Sequence, residues 1–551
     1  MHPLKDTWSL FEGMYSMPLL NWSDRDEDLT RSALTPYRLL EPVASLSYGE
    51  VDAPNMLIEG DNLDALKALL PYYAGQVGCV YIDPPFNTGA MFPKYDDNFE
   101  HSIWLSMMYA RLELIHELVS EKGSLFLHLD DNEVDYAKVM LDEIFGRSNF
   151  VNRITIAARS PSAFSTVNPG VFKASEYILW YAKNKEKFED VSARIPRGVD
   201  YAYNLWLENR DLPESEWRFS SLADKYAEVP RNARIKHPKS ILQHFDKWVL
   251  KNSSQVCRLA SISDSGAGQA IVDLKKESLS RPGEVLKLER GESLDTVYIL
   301  DGQQILFYSK NVVEIDGEPV ASSMLTNIWS DISWEGIAGE GGVTFKKGKK
   351  PERLLRRCIE LTTKPGDLVL DSFLGSGTTA AVALKLNRRF VGIERGDQAR
   401  SHCQARLVSV VEGEQSGISK EVGWKGGGGF RFYKLGVPVF DDEGHIRDGI
   451  KFEHLAAHVW FAETGAARST RAPKQSFLGE HHGIGYYLLF NGILGDESKT
   501  GGNVLTKRVL KGLQPFDGPK VIYGESCDLP KERLEELQIT FKQTPYDIKA
   551  R

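Results

Sequence analysis

The stretch LVLDSFLGSGTTAAVAL, residues 368–384, restricts the fold more than any other part of the chain. An apolar strand runs into Asp371, a Gly-Ser-Gly turn follows, and a helix begins near Thr378. Glycine at 375 and 377 lets the backbone approach a ligand where a side chain would clash. The helix N-terminus adds free N–H groups and the positive end of the helix dipole. Strand, tight turn and helix in this order predict an open α/β sheet that binds a ligand at the carboxyl ends of its strands. Gly375, Gly377 and Ala380 also satisfy the dinucleotide fingerprint, with Glu394 closing the next strand, so an NAD enzyme is one rival. A phosphate-binding P-loop is a poorer one, because no lysine follows the second glycine.

The same rhythm runs through two blocks of the chain. NMLIEGDNLDALKALL predicts a strand, a turn at Gly60-Asp61-Asn62, and a helix with leucines at 63, 66, 69 and 70. VGCVYIDPPF is the next strand, SIWLSMMYARLELIHELVSEKG an amphipathic helix ending at Gly123, SLFLHLDDNEV a strand running into acids, and EYILWYAKN another strand. The rhythm resumes with the helix KPERLLRRCIELTTKPG, the strand RRFVGIE, and a glycine-rich turn, WKGGGGFRFYKLG, leading into an edge strand. This alternation predicts a mainly parallel sheet with crossover helices on both faces. Between the blocks lies a segment rich in charges, prolines and aromatics. It contains the basic run RNARIKHPKSILQHFDKWVLK and a hairpin, DTVYILDGQQILFYSKN, turning at Asp301-Gly302. The predicted division is an N-terminal arm (1–52), α/β parts at 53–190 and 321–435, an inserted domain (191–320) and a mixed C-terminal domain (436–551).

With 551 residues, 42% hydrophobic and 26% charged, the chain is an ordinary multidomain globular protein. A net charge of −9 argues against a generic polyanion binder but leaves room for a local basic groove. Five scattered cysteines without a CxxC pair argue against a zinc site or a disulfide framework and point to a reducing cytoplasm. No apolar run is long enough to span a membrane.

A second strand end, CVYIDPPFNTG at residues 79–89, carries the chemistry. Proline has no N–H for a sheet ladder and fixes its own φ, so Pro84 and Pro85 stop the strand in a stiff turn. That turn holds the Asp83 carboxylate, unpaired carbonyls and the Phe86 ring at the carboxyl end of the strand. Together, Asp-Pro-Pro-Phe and Asp371-x-Phe373-x-Gly375-x-Gly377 resemble the S-adenosylmethionine-dependent amino-methyltransferases of DNA. The order, with the acid turn first, the insertion second and the glycine turn last, looks like the β class of that family. IEGDNLDAL, PPFNTG, YDDNFEHSIWLSMMYARL, GSLFLHLDDNE, GGGGFRFYKL and LQITFKQTPYDIK look like the modification subunits of type III restriction–modification systems.

The resemblance implies a Rossmann-like methyltransferase fold with an inserted target-recognition domain, and a DNA adenine-N6 methyltransferase. Asp83 and the Pro84 carbonyl would accept from the amine of a flipped base, and Phe86 would stack on it. An aspartate at the first position favours adenine N6 over cytosine N4. No cysteine follows a proline, so a cysteine-nucleophile route to 5-methylcytosine has no candidate. Asp371, Phe373, Gly375, Gly377 and Thr378 would wrap the amino-acid half of S-adenosylmethionine, with Lys350 and Pro351 nearby. Glu394 would accept from the ribose hydroxyls and Asp61 would face the adenine amine. Simpler readings stand beside these: Asp61 and Thr378 as helix caps, Glu394 as a surface acid. HLDDNE suggests a metal cluster, but Asp130 and Asp131 fit a strand-end turn better, and the chemistry requires no metal. Arg231, Arg234, Lys236, Lys239, Lys247 and Lys251 would contact DNA or else form a solvated helix face, with Phe245 and Trp248 suited to either. The implied partners are double-stranded DNA, a second copy of the chain and a restriction subunit with helicase and nuclease parts. The alternatives are a solitary enzyme, a cytosine-N4 enzyme, or a catalytically silent DNA-binding scaffold.

Overall fold

The computed structural model describes residues 19–87, 100–159, 171–189, 193–229, 238–291, 294–315, 317–345, 348–440, 446–447, 449–469, 471–493 and 496–544. The chain forms two units, 1–191 with 327–551, and 192–326.

The first unit is built on one large sheet. Its strands are β1 (Arg38–Pro42), β2 (Met56–Glu59), β3 (Val77–Ile82), β4 (Val119–Leu129), β5 (Phe150–Ala157), β6 (Ser175–Ala182), β7 (Ile328–Trp329), β8 (Leu368–Asp371), β9 (Arg389–Glu394) and β10 (Gly429–Pro438). Their spatial order is β1-β10-β2-β9-β8-β3-β4-β6-β5-β7. The six strands from β10 to β4 are all parallel, as the alternation predicts. Strands β1 and β6 run antiparallel to their neighbours. Strands β3 and β8 are adjacent, although the whole second unit separates them in sequence.

Side chains alternate across this sheet. Met56, Ile58, Val80, Ile82, Leu368, Leu370, Val391 and Ile393 share one buried cluster. Helices α1 (Arg25–Leu34), α2 (Asn62–Tyr73) and α3 (His101–Leu118) pack with one another, and α2 and α3 feed that same cluster. The intervening Leu57, Cys79, Tyr81 and Val369 are buried outside it, on the opposite face of the pleat. There α4 (Glu352–Thr362) packs on β3 and on α5 (Thr378–Lys385), which touches α6 (Ala405–Val411). At about 2 kcal/mol for each fully buried Leu, Ile or Val, these two faces dominate the stabilisation.

Three sequence expectations change. The helix expected to end at Gly123 ends at Leu118, and Gly123 lies inside β4. The Gly75 and Gln76 N–H groups take up the carbonyls of Glu117 and Leu118, so the helix end is satisfied from outside and Val119 pairs with Val77. The strand expected at an edge, β10, lies between β1 and β2. Residues expected to form a separate arm supply that cover: β1 and Tyr48–Gly49 both pair with β10. The C-terminal stretch has its own sheet of Phe477–His481, Ile484–Leu488, Lys520–Gly524 and Ile539–Gln543. Yet Leu455, Ala456 and Val459 of α7 (Phe452–Thr464) belong to the same buried cluster as Leu66 and Leu69 of α2.

The second unit holds a six-stranded antiparallel sheet and a three-stranded one. Its expected hairpin joins Val297–Leu300 to Gln303–Phe307. Asp301 at φ 49° and Gly302 at φ 73° make the turn with the left-handed residues a two-residue hairpin requires. On the helix Pro238–Lys251, Trp248 stacks on Trp206 at 5.2 Å and Phe245 packs against Tyr226, so both rings serve this unit's own core. Lys247 and Lys251 lie exposed. Arg231, Arg234 and Lys236 lie outside the described residues, as does the side chain of Lys239.

Candidate active site

The carboxyl ends of β2, β3, β8 and β9 open into a cavity of about 1680 Å³. Asp61, Asp83, Pro84, Phe86, Lys350, Asp371, Phe373, Gly375, Thr378 and Glu394 all line it. The residues predicted for the two strand ends are therefore brought together at one face of adjacent strands.

The glycine turn closes on itself. Asp371 is buried, and its Oδ1 accepts from the Phe373 N–H at 2.9 Å while Oδ2 accepts from the Thr379 hydroxyl at 2.5 Å. Burial pushes its carboxyl up to about 7 against those hydrogen bonds, with Asp83 and Glu394 adding like charge. Glu394 accepts from the Gly375 N–H at 2.5 Å, and burial pushes it too up to about 7. Gly375 has φ 57°, and a Cβ there would meet only the Phe373 carbonyl, at 3.9 Å, so this face of the turn is open to a ligand. Gly377 has φ 80° and is needed for packing, since its Cβ would lie 3.2 Å from the Cα of Cys403. Gly377 is the N-cap of α5 and Thr378 its first residue, so Thr378 is not the helix cap; its hydroxyl accepts from Arg406 Nη1 at 2.7 Å.

Beneath the turn sits a buried charge network that the sequence did not reveal. Arg406 Nη2 and Lys385 Nζ each bind Glu352, both at 2.7 Å, and all three side chains are fully buried. Lys385 also pairs with Glu414. The Ile418 N–H donates to Glu352 at 3.0 Å. Pro351 opens α4 as its N-cap, directly before this glutamate.

Asp61 does cap α2, accepting from the Leu63 N–H at 2.9 Å, and it also lies 3.2 Å from Arg111 Nη2. Arg111 Nε donates to Asn62, whose amide donates to the Ser372 carbonyl at 2.8 Å, so the ends of β2 and β8 are tied together.

The Asp83 turn is organised differently. Trp104 Nε1 donates to the Pro85 carbonyl at 2.7 Å and fixes the diproline. Lys350 Nζ lies 2.8 Å from Asp83 Oδ2, 3.9 Å from Glu176 and 4.6 Å from the centre of the Phe86 ring. Asp83 Oδ1 is buried and has no hydrogen-bond partner among the described residues. Lys350, expected beside the cofactor, is thus placed against the acid of the first turn.

His128, Glu176 and Trp334 were missed in the sequence. His128 sits in HLDDNE, where the acids drew attention; Asp130 does make the strand-end turn, accepting from the Asn132 N–H. The His128 Nδ1 lies 2.6 Å from the Tyr81 hydroxyl and its Nε2 2.9 Å from Glu176. Glu176 reaches the site because β6 is antiparallel: its beginning lies beside the end of β4, where Tyr177 pairs with Leu129. Burial would raise the Glu176 carboxyl, but Lys350, His128 and Arg159 pull it down to about 2. Trp334 is 6.0 Å from Lys350 Nζ and lines the same wall.

Among the described residues no group of three or more His, Cys, Asp or Glu is arranged to hold a metal, and no helix is long and apolar enough to cross a membrane. The chain is 34% identical over 411 residues to the probable type III restriction-modification enzyme HindVI Mod subunit of Haemophilus influenzae, covering 70% of this chain and 54% of that one. It is 27% identical over 420 residues to the EcoPI Mod subunit of Escherichia phage P1, covering 68% and 62%. It is 25% identical over 350 residues to the type II methyltransferase M.EcaI of Enterobacter cloacae, covering 62% and 66%. The chain thus spans little more than half the length of the first of these relatives. Among solved structures, PvuII DNA methyltransferase (cytosine-N4-specific) matches 68% of this chain and 94% of its own at 14% identity and a TM-score of 0.31. The pattern of the family described as DNA methylase matches residues 77–404, more than half of the chain, and spans both strand-end turns; this protein belongs to that family.

Proposed function

We propose that this chain is a sequence-specific DNA adenine-N6 methyltransferase using S-adenosylmethionine, and the recognition and modification subunit of a type III-like restriction–modification system. One observation carries the reading: Asp83 Oδ1, which has no hydrogen-bond partner among the described residues, and the open face of Gly375 share a single cavity on adjacent strands.

The residues present suit the cofactor. The Gly375 turn leaves space against the backbone, Glu394 and Asp61 supply acceptors for hydroxyls and an amine, and Asp371 and Phe373 shape the floor. When bound, S-adenosylmethionine supplies an electrophilic methyl group. The amine of a base is a poor nucleophile, because its lone pair is delocalised into the ring. Asp83 Oδ1 and the Pro84 carbonyl would accept its two N–H bonds, return electron density to nitrogen and aim the lone pair. Orientation of this kind supplies a large share of a transfer rate. Phe86 would stack on a base taken out of the duplex. Lys247 and Lys251, with Arg231, Arg234, Lys236 and Lys239 from the same basic stretch, would bind phosphates. Duplex DNA, a second copy of the chain and a helicase–nuclease restriction subunit are the partners this reading assigns, and the cytoplasm its place.

The test is methyl transfer from labelled S-adenosylmethionine to mixed-sequence duplex DNA, followed by nucleoside analysis. The expected product is N6-methyladenine. N4-methylcytosine would replace the base assignment, and no transfer to any duplex would leave a silent scaffold. Thermal stabilisation by NAD instead of S-adenosylmethionine would restore the dehydrogenase rival.

A further inference from the structure

We propose that Lys350 is a positioning residue for the transfer. Its ammonium holds Asp83 Oδ2 so that Oδ1 alone faces the target amine, and Glu176 with His128 anchors the lysine from behind. The inference rests on the methyltransferase reading above.

Lys350 is 8% exposed and its Nζ has carboxylates on two sides, Asp83 Oδ2 at 2.8 Å and Glu176 Oε2 at 3.9 Å. Glu176 Oε2 lies in turn 2.9 Å from His128 Nε2, and His128 Nδ1 2.6 Å from the Tyr81 hydroxyl. Arg159 lies 4.0 Å from the far oxygen of Glu176. This chain of contacts crosses three neighbouring strands, β3, β4 and β6, and ends on the acid of the diproline turn. It leaves Asp83 with one oxygen occupied and the other buried without a hydrogen-bond partner among the described residues.

The division of Asp83 has two consequences. A carboxylate free to rotate about its Cβ–Cγ bond points an oxygen at the amine in only part of its orientations; an ammonium on Oδ2 holds its plane in one of them. An ammonium on Oδ2 also leaves Oδ1 as the carboxylate oxygen whose lone pairs can accept from the amine. The charged and titratable groups facing this pair are Glu176, His128, Tyr81, Arg159 and Asp371. Burial alone would push the lysine down, but Asp83 and Glu176 outweigh it and raise it above its ordinary value, so it stays protonated throughout the working range. The step balances without it: nitrogen gains the methyl, the sulfonium becomes a thioether, and one amine proton leaves to solvent.

The experiment compares wild type, Lys350→Met and Lys350→Arg for transfer rate and for S-adenosylmethionine affinity by equilibrium binding. Lys350→Met is expected to lower kcat about 100-fold with cofactor affinity within about threefold. Transfer at the wild-type rate would overturn the proposal. Loss of cofactor binding as large as the loss of transfer would return Lys350 to the cofactor site. A rate loss that Lys350→Arg does not partly restore would reduce the lysine to a structural part. Should Lys350→Met not fold, Lys350→Arg keeps the charge with altered reach: it is expected to lower kcat about tenfold with cofactor affinity unchanged, and a fall in affinity as large as the fall in kcat would overturn the proposal. A wild-type protein that transfers no methyl but binds the cofactor would instead sink the methyltransferase reading, and this inference with it.

Discussion

Two aspartates end neighbouring parallel strands, and the structure treats them in opposite ways. Asp371 spends both oxygens within its own turn, on the Phe373 N–H and the Thr379 hydroxyl. Asp83 has one oxygen held by a lysine from a distant segment and one buried without a hydrogen-bond partner among the described residues. Similar local sequences, an apolar strand ending in an acid and a stiff or tight turn, thus yield a scaffold in one case and an unfinished site in the other. The difference lies in the residues on the carboxyl side of each acid. Glycines let the backbone fold back and satisfy Asp371, whereas two prolines remove the N–H donors that would satisfy Asp83.

That contrast breaks most sharply at the open acid. Asp83→Ala is expected to lower methyl transfer at least ~1000-fold, about 4 kcal/mol of barrier, with cofactor affinity nearly unchanged. Equal loss in a binding titration would move Asp83 into the cofactor site.

The scaffold side is tested from below. Arg406→Met leaves Glu352 with one cation fewer in a fully buried place and should destabilise the protein by about 3–5 kcal/mol in denaturant unfolding. A loss under ~1 kcal/mol would mean that Lys385 alone balances the glutamate.

Asp371→Asn keeps the shape of the turn but turns an amide N–H donor toward one of the two groups that donate to Asp371. It should weaken S-adenosylmethionine roughly 30-fold, about 2 kcal/mol, while the transfer rate at saturation stays close to wild type. A reversed pattern, normal affinity with a slow turnover, would make the two aspartates equivalent and remove the contrast.

The smallest effect is in pH. Asp371 and Glu394 are raised in the folded protein to about 7, above their unfolded values. Their stabilising contribution is therefore present in acid and is lost as pH rises through about 7. Glu176, pulled down to about 2, contributes above its unfolded value and is constant over the same window. The ligand-free protein should melt higher at pH ~5.5 than at pH ~8, and cofactor affinity should rise severalfold over that interval as the acids ionise. A flat melting curve with flat affinity would place both carboxylates in better-hydrated surroundings.

Much of the local structure was legible. The strand–turn–helix units around Asp61 and Gly375 form at the expected residues, because capping acids, glycines and leucine spacing act within a few positions. The diproline turn was legible for the same reason. The end of α3 was not: Gly123 looks like a helix stop, but the stop is made by Gly75 and Gln76 donating to carbonyls on α3 from another segment. Nor was the burial of β10, which depends on Arg38–Pro42 returning to cover it.

The sequence by itself determined which residues could end a strand, turn the chain and carry the acid, since φ restrictions and missing donors are properties of single residues and their neighbours. The tertiary structure alone decided that β3 lies beside β8, that an antiparallel β6 delivers Glu176, and that Lys350 reaches Asp83. Those choices come from burying two faces of one sheet, and side chains far apart in the chain meet only after that burial has fixed the order of the strands.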